Sequence, residues 1–380
     1  MELILKQYDI PLLRFSATND SSTPEIEVHW INEDQRHLLP LDMELSPEGI
    51  SRWMRRRTIP RNRAYVNRLL AKCGLNANRP MGILALCKGL SVDDSYWVVE
   101  EGFEGTFEKY NLFENRFSEV LALIAFTGYG SSNRSSLASS PEFTTNGMLP
   151  KCWRRISGKV TLYKGGTDGG YNTGAEPYCE YYAAQVAAAM GIDAIPYGLS
   201  QWKGRLCSTC ELFTDIDRAY MPIGNLVQRG GFDAVAAYYE NLGEPFQKAF
   251  RDMLVFDAVI CNTDRHYGNF GFIIDNKTNT IAAPAPLFDH GNSLFNQAGP
   301  EDYESPEAFQ QYIDTLVPCV YDDFFATAKR FMADENREQL RKLLNFRFKR
   351  HVRYNLPPKR LKLMEEQVRK RAMRLLENKD

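Results

Sequence analysis

The sequence lacks long apolar runs. None of its stretches approaches the roughly 18 consecutive apolar residues that a membrane-spanning helix needs. The amino terminus begins MELILKQYDIPLL, with an acidic residue at position 2 and without the apolar core of a secretory signal peptide. We therefore expect a cytoplasmic protein with no membrane partner.

The sequence also has little that indicates a metal centre or a surface of one charge. Its formal net charge is -2, so the overall charge does not favour a nucleic-acid partner. The chain has 5 histidines, which lie far apart, and 8 cysteines, which are scattered apart from the pair Cys207 and Cys210. A structural zinc ion needs four ligands, and no second pair accompanies this one. We expect a buried strand at this position, and no zinc or redox site.

The residues that are present indicate an α+β chain in three parts. Residues 1–125 form a predicted folded accessory region whose role the sequence does not assign. A Ser-rich loop is predicted at 130–141. The pattern favours strands around one helix over 126–213 and mainly helices over 214–380. This order predicts a sheet-rich lobe and a helical lobe behind the accessory region, with a hinge near 211–214.

Local patterns predict individual elements within these parts. The strongest signal is a helix at 176–190, because Pro177 suits a first helical turn and Gly191 suits a helix end. Periodicity and turn residues predict the others: helices at 47–73, at 246–261 and in the basic tail from 338, and strands at 25–31, 159–164, 192–200, 205–213, 270–274 and 281–288.

Residues 256–295 carry side chains suited to phosphoryl transfer. A predicted helix ends in the run NTDRHYGN, residues 262–269, and Asp289 directly follows the second strand of a predicted hairpin. Phosphoryl transfer needs a carboxylate beside the acceptor hydroxyl and oxygen ligands that hold Mg²⁺ against the phosphates. We expect Asp264 to orient the hydroxyl and accept its proton. Asn269 and Asp289 would be the Mg²⁺ ligands.

A turn-forming Asp–Asn loop is the other interpretation of this run. The five-residue step from Asp264 to Asn269 equals that of the protein-kinase catalytic loop, and a DxG motif follows farther along the chain. The combination favours catalysis. Asp257, on the preceding helix, is expected to brace the loop, and His290 to support the site without contacting the reactants. His266 would brace the loop, contact phosphate or bond to the backbone.

The same run resembles the NxDxHxxN catalytic loop of HipA-like serine/threonine kinases. Residues 144–151, TTNGMLPK, are similar to the phosphate-side loop of that family. The resemblance covers about residues 130 to 300, and it implies a two-lobed protein-kinase-like fold with ATP and Mg²⁺ as cofactors. It also implies a protein acceptor, such as a translation factor, and an antitoxin or DNA-binding partner.

The resemblance further implies a set of nucleotide contacts. Lys164 ends a predicted strand and precedes two glycines, so it would meet the phosphates, with Glu180 holding it by a salt bridge. Glu176, one turn earlier on the same helix face, is the competing partner. The remaining contacts are the phosphate-side loop and the adenine-receiving hinge, with Asn146, Gly147, Met148 and Lys151 in the loop and Glu211 and Phe213 in the hinge.

Further interpretations stay open at this point. Thr144 falls where the family is autophosphorylated, and a solvated turn is the alternative. Two basic runs, 52–68 and 347–374, would bind a nucleic acid or an acidic protein, or they are solvated helix faces. Two other functions compete with protein phosphorylation: a phosphoinositide-kinase-like lipid or small-molecule kinase, and a non-catalytic, nucleotide-responsive partner of a DNA-binding antitoxin.

Overall fold

The computed structural model describes residues 1–18, 24–130, 140–169 and 174–377. The strands are β1 (Glu2–Gln7), β2 (Ile10–Ala17), β3 (Ile26–Ile31), β4 (Tyr96–Glu100), β5 (Lys151–Ile156), β6 (Lys159–Gly165), β7 (Gly198–Trp202), β8 (Arg205–Glu211), β9 (Arg218–Pro222), β10 (Gly271–Asp275) and β11 (Thr280–Pro284). The helices are α1 (Pro47–Arg56), α2 (Val66–Lys72), α3 (Pro80–Cys87), α4 (Phe107–Tyr110), α5 (Glu119–Thr127), α6 (Glu176–Met190), α7 (Ile223–Leu226), α8 (Gly231–Leu242), α9 (Phe246–Ile260), α10 (Pro306–Asp314), α11 (Phe324–Phe331), α12 (Asp334–Arg341) and α13 (Pro358–Leu376).

The chain divides into two compact units, each made of three segments. Unit 1 comprises Met1–Lys164, Glu211–Met221 and Ile273–Ala282. Unit 2 comprises Gly165–Cys210, Pro222–Phe272 and Ala283–Asp380. The predicted boundaries after residues 125 and 213 concern functional parts of the chain, and they stay a prediction.

Unit 1 contains an antiparallel sheet in the order β3–β2–β1–β4. In this sheet Leu3 lies opposite Phe15, and Leu5 lies between Leu13 and Val98. All five side chains are buried and pack with residues of α1 and α3. The two-residue period of a strand places them on one face, so this face forms the core.

A second core in unit 1 joins the accessory region to the β5–β6 hairpin. Trp97 of β4 is fully buried and packs in one cluster with Phe107, Trp153 and Val160. In the hairpin Lys151 pairs with Lys164 and Trp153 with Leu162. The hairpin that carries the predicted ATP lysine is therefore held by apolar residues of the accessory region.

Unit 2 is mainly helical, with α9 at its centre. This helix contacts α8, α11 and α13. It is buried along most of its length, and Phe250 stacks on Tyr239 of α8 with ring centroids 4.8 Å apart. Asp252 accepts hydrogen bonds from Asn336 at 2.6 Å and from Gln339 at 3.2 Å, which ties α9 to α12. Since α9 leads directly into the predicted catalytic loop, this packing fixes where the loop begins.

Most predicted elements are confirmed, and the helix predicted at 176–190 has the bounds of α6. The continuous helix predicted at 47–73 is wrong. The chain leaves the helix after Arg56, passes Pro60, and starts α2 only after Tyr65, whose φ of 59° is left-handed. Proline lacks the N–H that a continuing helix needs, and a left-handed residue cannot lie inside one.

Two further predictions need correction. The strand predicted at 192–200 is wrong in its first part, because β7 begins at Gly198. Pro196 cannot donate to a strand ladder. The helical tail predicted from 338 is interrupted between α12 and α13, where the chain runs without helix from 342 to 357. The strands β1 and β2 were not predicted.

Within the described ranges, no helix is both long enough and apolar enough to cross a bilayer.

Candidate active site

The predicted catalytic loop starts where α9 ends. Cys261 caps the helix in a left-handed conformation with φ 52°, and its N–H bonds to the Asp257 carbonyl. The Asn262 N–H bonds to the same carbonyl at 3.1 Å. The reversal of backbone direction at Cys261 turns the chain out of the helix, so that residues 262–269 form a loop beside its last turn.

A buried ion pair between Arg265 of the loop and Asp257 of α9 supports this loop. Arg265 donates from Nε and Nη2 to the two carboxylate oxygens of Asp257, at 2.9 and 3.1 Å, and both side chains are 1% exposed or less. Asn262 donates to Asp257 Oδ1 at 3.0 Å. Burial alone would lower the pKa of Arg265, but the charge and the hydrogen bonds of Asp257 outweigh burial and raise the pKa. The prediction that Asp257 braces the loop is confirmed.

Arg265 also connects the loop to the segment that contains Asp289. Its Nη1 donates to the Asn269 carbonyl at 3.1 Å and to the Phe288 carbonyl at 2.6 Å. Its Nη2 lies 3.0 Å from His290 Nδ1. One planar guanidinium therefore sets the positions of both ends of the loop and of the residues on either side of Asp289.

The Asp264 carboxylate is half-buried and oriented from one side. Asn292 donates from its side chain to Asp264 Oδ2 at 2.9 Å, and Asn296 donates to Asn292 Oδ1 at 2.9 Å. The Thr263 N–H bonds to the Asn292 carbonyl at 3.1 Å. In the part of the chain that the structure describes, Asp264 Oδ1 receives no hydrogen bond. The carboxylate therefore has one fixed oxygen and one that a hydroxyl can approach.

The two predicted Mg²⁺ ligands lie at the two ends of the Arg265 network. The Asn269 side-chain amide nitrogen donates to the Asp264 carbonyl at 3.4 Å, which leaves the amide oxygen as the atom that a metal would contact. Asp289 is left-handed, with φ 56°, and its N–H donates to the Tyr197 hydroxyl at 3.0 Å. Burial raises the pKa of Tyr197 well above its usual value, and the nearby carboxylates of Glu180 and Asp289 add to this.

One carboxylate and one amide oxygen suit Mg²⁺, which takes oxygen ligands and keeps several waters. Among the described residues, no three or more His, Cys, Asp and Glu side chains are grouped so that they could hold a metal ion. A metal held mainly by the protein, such as structural zinc, would need more ligands than Asn269 and Asp289 provide.

The structure distinguishes Glu180 from Glu176 on α6. Glu180 is fully buried and accepts a hydrogen bond from Ser208 of β8. Glu176 instead accepts from the Thr167 N–H at 3.1 Å and from the Thr167 hydroxyl. A Cβ on Gly291 would lie 3.3 Å from Glu176 Cβ and 3.7 Å from Glu180 Oε1, so the residue after His290 packs directly on this helix.

The phosphate-side loop lies in unit 1 and turns at Gly147, whose φ is 91°. Lys151 Nζ donates to the Asn146 carbonyl at 2.8 Å, and a Cβ on Gly147 would lie 2.2 Å from this nitrogen. Lys151 and Lys164 are paired across β5 and β6, and they are 5% and 6% exposed.

A second buried ion pair holds this loop in place. Arg63 donates from Nη2 to Glu142 at 2.6 Å and to the Lys151 carbonyl at 2.8 Å, and from Nη1 to the Thr145 carbonyl at 3.2 Å. Glu142 also accepts from the Trp153 N–H at 2.8 Å. The sequence placed Arg63 in the basic run 52–68 and drew no attention to Glu142, because the two residues of the pair lie far apart in the sequence.

The other predicted residues occupy more ordinary positions. Thr144 is 4% exposed and donates to the Leu90 carbonyl at 2.9 Å. The exposed His266 accepts from the Gly268 N–H at 3.1 Å, which matches the backbone alternative for this residue. Met148 is 63% exposed. At the predicted hinge, Glu211 pairs with Lys159 at 2.7 Å, and Phe213 lies edge-on to Tyr220.

Most of the Ser-rich stretch, residues 131–139, lies outside the described residues.

Comparison with known proteins finds similarity in sequence to one curated relative and in structure to several solved proteins, two of which are described below. A scan against protein-family models finds no match. The serine/threonine-protein kinase CtkA of Helicobacter pylori is 27% identical over 135 residues, which are 32% of this chain and 41% of CtkA. This chain therefore matches about two fifths of the length of that relative. The crystal structure of H. pylori CtkA aligns with a TM-score of 0.48 and 16% identity, covering 61% of this chain and 90% of CtkA.

A second solved structure aligns over almost the whole chain. It is the complex of HipA, HipB and operator DNA from the toxin–antitoxin system of Shewanella oneidensis MR-1, with a TM-score of 0.53, 13% identity, and coverage of 98% of this chain and 97% of that chain. This chain thus has the HipA fold, a mixed α/β kinase-like fold. The local sequence match to CtkA and the chain-long fold match to HipA confirm the resemblance to HipA-like kinases that the motifs predicted.

Proposed function

We propose that this protein is a kinase that transfers the γ-phosphoryl group of ATP, with Mg²⁺, to a serine or threonine hydroxyl of a protein. The observation that carries the proposal is the Arg265 guanidinium. It bonds at once to Asp257, to the carbonyl of Asn269 and to the carbonyl next to Asp289. This network supports a proposed site in which the Asp264 carboxylate and the side-chain oxygens of Asn269 and Asp289 keep a fixed relation, as phosphoryl transfer requires.

In the proposed reaction Asp264 acts on the acceptor. The acceptor oxygen forms a bond to the γ-phosphorus while the bond from that phosphorus to the ADP oxygen breaks, and the hydroxyl proton passes to Asp264. The oxygen held by Asn292 stays in place, so the other oxygen faces the hydroxyl. Asn269 and Asp289 would hold Mg²⁺, which neutralises charge on the phosphates when it is bound. Lys151 and Lys164 would supply the positive charge on the phosphate side.

The test compares phosphate transfer by wild-type protein and by Asp264→Asn, with labelled ATP, Mg²⁺ and a host lysate as the source of acceptor proteins. The asparagine can turn its amide oxygen to Asn292, so the network survives while the proton acceptor is lost. We expect the transfer rate to fall about 100- to 10,000-fold. The matched control is Asp233→Asn, an exposed aspartate with one weak contact to Arg330 at 3.8 Å. Equal activity of Asp264→Asn and the control would refute the proposed role.

The contribution of Lys164 is tested by nucleotide binding. Lys164→Met keeps the length of the side chain and removes its charge, and we expect at least tenfold weaker binding of Mg-ATP by calorimetry. Lys277→Met is the control, since Lys277 is an exposed residue that pairs with Asp217 at 2.9 Å. Unchanged affinity in Lys164→Met would place the phosphates elsewhere.

We further propose that the protein acts as a toxin with an antitoxin partner. The proposal rests on the chain-long fold match to a HipA whose solved structure also contains HipB and operator DNA. Induced expression in a bacterial host is expected to arrest growth, and Asp264→Asn is expected to relieve the arrest at equal protein level. Normal growth with the active wild-type protein would refute the toxin proposal and leave the kinase proposal intact.

A further inference from the structure

A strongly basic segment lies between the last two helices of unit 2. Residues 341–362 contain nine lysines and arginines and no aspartate or glutamate, whereas the chain as a whole has 46 basic and 48 acidic residues. We call residues 341–362 the basic segment. It begins at the end of α12 and runs into the first turn of α13. None of its residues has a part in the proposed phosphoryl transfer.

Most charges of the basic segment are not neutralised within the protein. Six of its cations are exposed and, among the described residues, form no ion pair with a carboxylate: Arg347, Lys349, Arg350, Arg353, Lys359 and Lys362. The other basic run of the sequence behaves differently, because Arg56 pairs with Asp42 at 2.8 Å and Arg57 with Asp94 at 2.7 Å. Among the described residues, the segment in unit 2 therefore offers six exposed cations that no carboxylate neutralises.

The centre of the basic segment is a rigid turn. His351 Nδ1 accepts from the N–H groups of Arg353 and Tyr354 at 3.2 and 3.1 Å. Asn355 Oδ1 accepts from the His351 N–H and from the hydroxyl of Tyr182 on α6, each at 2.9 Å. The turn is thus closed by its own side chains and anchored to a helix. A fixed backbone loses little conformational entropy when a ligand binds.

The turn also presents an aromatic stack beside the charges. The rings of His351 and Tyr354 are nearly parallel, with a 12° angle and centroids 5.3 Å apart, and Tyr181 lies edge-on to His351. In the described part of the chain, Tyr354 makes no ring contact on its other face. It is half-buried, and Arg353 beside it is exposed. An aromatic face beside arginines is the combination on which unpaired nucleic-acid bases stack.

We propose that the basic segment binds single-stranded nucleic acid, with Arg350 and Arg353 contacting backbone phosphates and a base stacking on Tyr354. An acidic protein would use the charges equally well, but it would have no use for the free aromatic face. Double-stranded nucleic acid keeps its bases stacked inside the helix and would not use it either. The proposal is independent of the kinase activity.

The test is fluorescence anisotropy of the full-length protein with a labelled RNA of about 20 nucleotides, the DNA of the same sequence, and its duplex. Arg350→Ala/Arg353→Ala is expected to bind single strands at least tenfold more weakly. The slope of log affinity against log salt is expected to become shallower by about 1.4, or about 0.7 for each lost phosphate contact. The matched control is Lys203→Ala/Arg229→Ala, which removes two exposed charges of unit 2 outside the segment.

Stacking is tested separately. Tyr354→Ala is expected to weaken single-strand binding about 5- to 150-fold, and Tyr354→Phe to keep the affinity. Thermal unfolding of each variant shows whether the protein is folded. If Tyr354→Ala is unfolded, Tyr354→Phe still tests the idea, because its ring can stack: loss of affinity in the folded phenylalanine variant would contradict stacking.

Three results would overturn the proposal. The first is that single strands do not bind at about 50 mM salt. The second is that the charge variant and its control lose the same affinity. The third is that polyglutamate displaces the oligonucleotide as effectively as unlabelled RNA does. Tighter binding of the duplex, unaffected by Tyr354→Ala, would overturn the single-strand assignment as well.

Discussion

Replacing Arg265 by lysine probes the contact on which the site depends most. Lysine keeps the positive charge but gathers three donors on one nitrogen, whereas the guanidinium makes five hydrogen-bond contacts in different directions. At least two of these contacts are therefore lost. Hydrogen bonds to charged groups contribute about 1.5–3 kcal/mol each, so Arg265→Lys should reduce the free energy of unfolding by about 3–6 kcal/mol. This is a large part of the stability of a typical protein.

The same substitution is expected to impair catalysis in the molecules that remain folded. Without the bonds to the carbonyls of Asn269 and Phe288, the loop and Asp289 lose their common support. A displacement of about 1 Å at a catalytic group costs about 100-fold in rate, and we expect an effect of this size. Urea unfolding measures the stability, and transfer of labelled phosphate at a temperature well below unfolding measures the activity.

Arg251→Lys is the matched control. Arg251 lies on α9, the helix that precedes the loop, and pairs with Glu244 at 2.7 Å on the surface. Such a pair contributes about 0–1 kcal/mol. If Arg265→Lys unfolds at the same urea concentration as the control and transfers phosphate at the wild-type rate, the guanidinium does not organise the site and the reasoning above is refuted.

Four further predictions follow from individual residues. Asp289→Asn is expected to weaken Mg-ATP binding at least tenfold, and unchanged affinity by calorimetry would remove this residue from the metal site. Gly147→Ala is expected to impair nucleotide binding, because its φ is 91° and a Cβ would meet Lys151 Nζ; wild-type affinity would show that the loop tolerates another shape. Phosphate on Thr144 is expected to switch the kinase off by repelling the phosphates of the nucleotide, and this buried side chain must first become exposed. Mass spectrometry after incubation with ATP detects the modification. An unmodified hydroxyl, or a modified protein that transfers phosphate at the unmodified rate, would contradict the prediction. Burial, and next the charge of the neighbouring Asp94, raise the pKa of Asp93 to about 6. Between about pH 4 and 6 the folded state therefore holds a proton that the unfolded state has released, so stability should fall as the pH rises through this range. Thermal unfolding across that range measures the effect, and Asp93→Asn should remove it.

The sequence by itself determined those features that depend on neighbouring residues. The bounds of α6 follow from Pro177 in its first turn and from Gly191, whose φ of 80° ends the helix. Proline and glycine act through their own backbone geometry, so their effect is visible without knowledge of the fold. The order of the Asp264 loop, the hairpin and Asp289 was likewise a matter of local spacing, and Asp257 was expected to brace the loop because it lies on the helix just before it.

Only the tertiary structure decided which charged residues serve the site and which serve the fold. The sequence does not distinguish Arg265 and Arg63 from surface arginines, yet both are buried in ion pairs. Arg265 also reaches the distant Phe288 carbonyl, and Arg63 reaches Glu142 and the Lys151 carbonyl. The two basic runs also look alike, and tertiary contacts neutralise arginines of the first while leaving much of the second exposed. The energy of a charge depends on its burial and on the partner that it meets, and both are set by residues far away in the sequence.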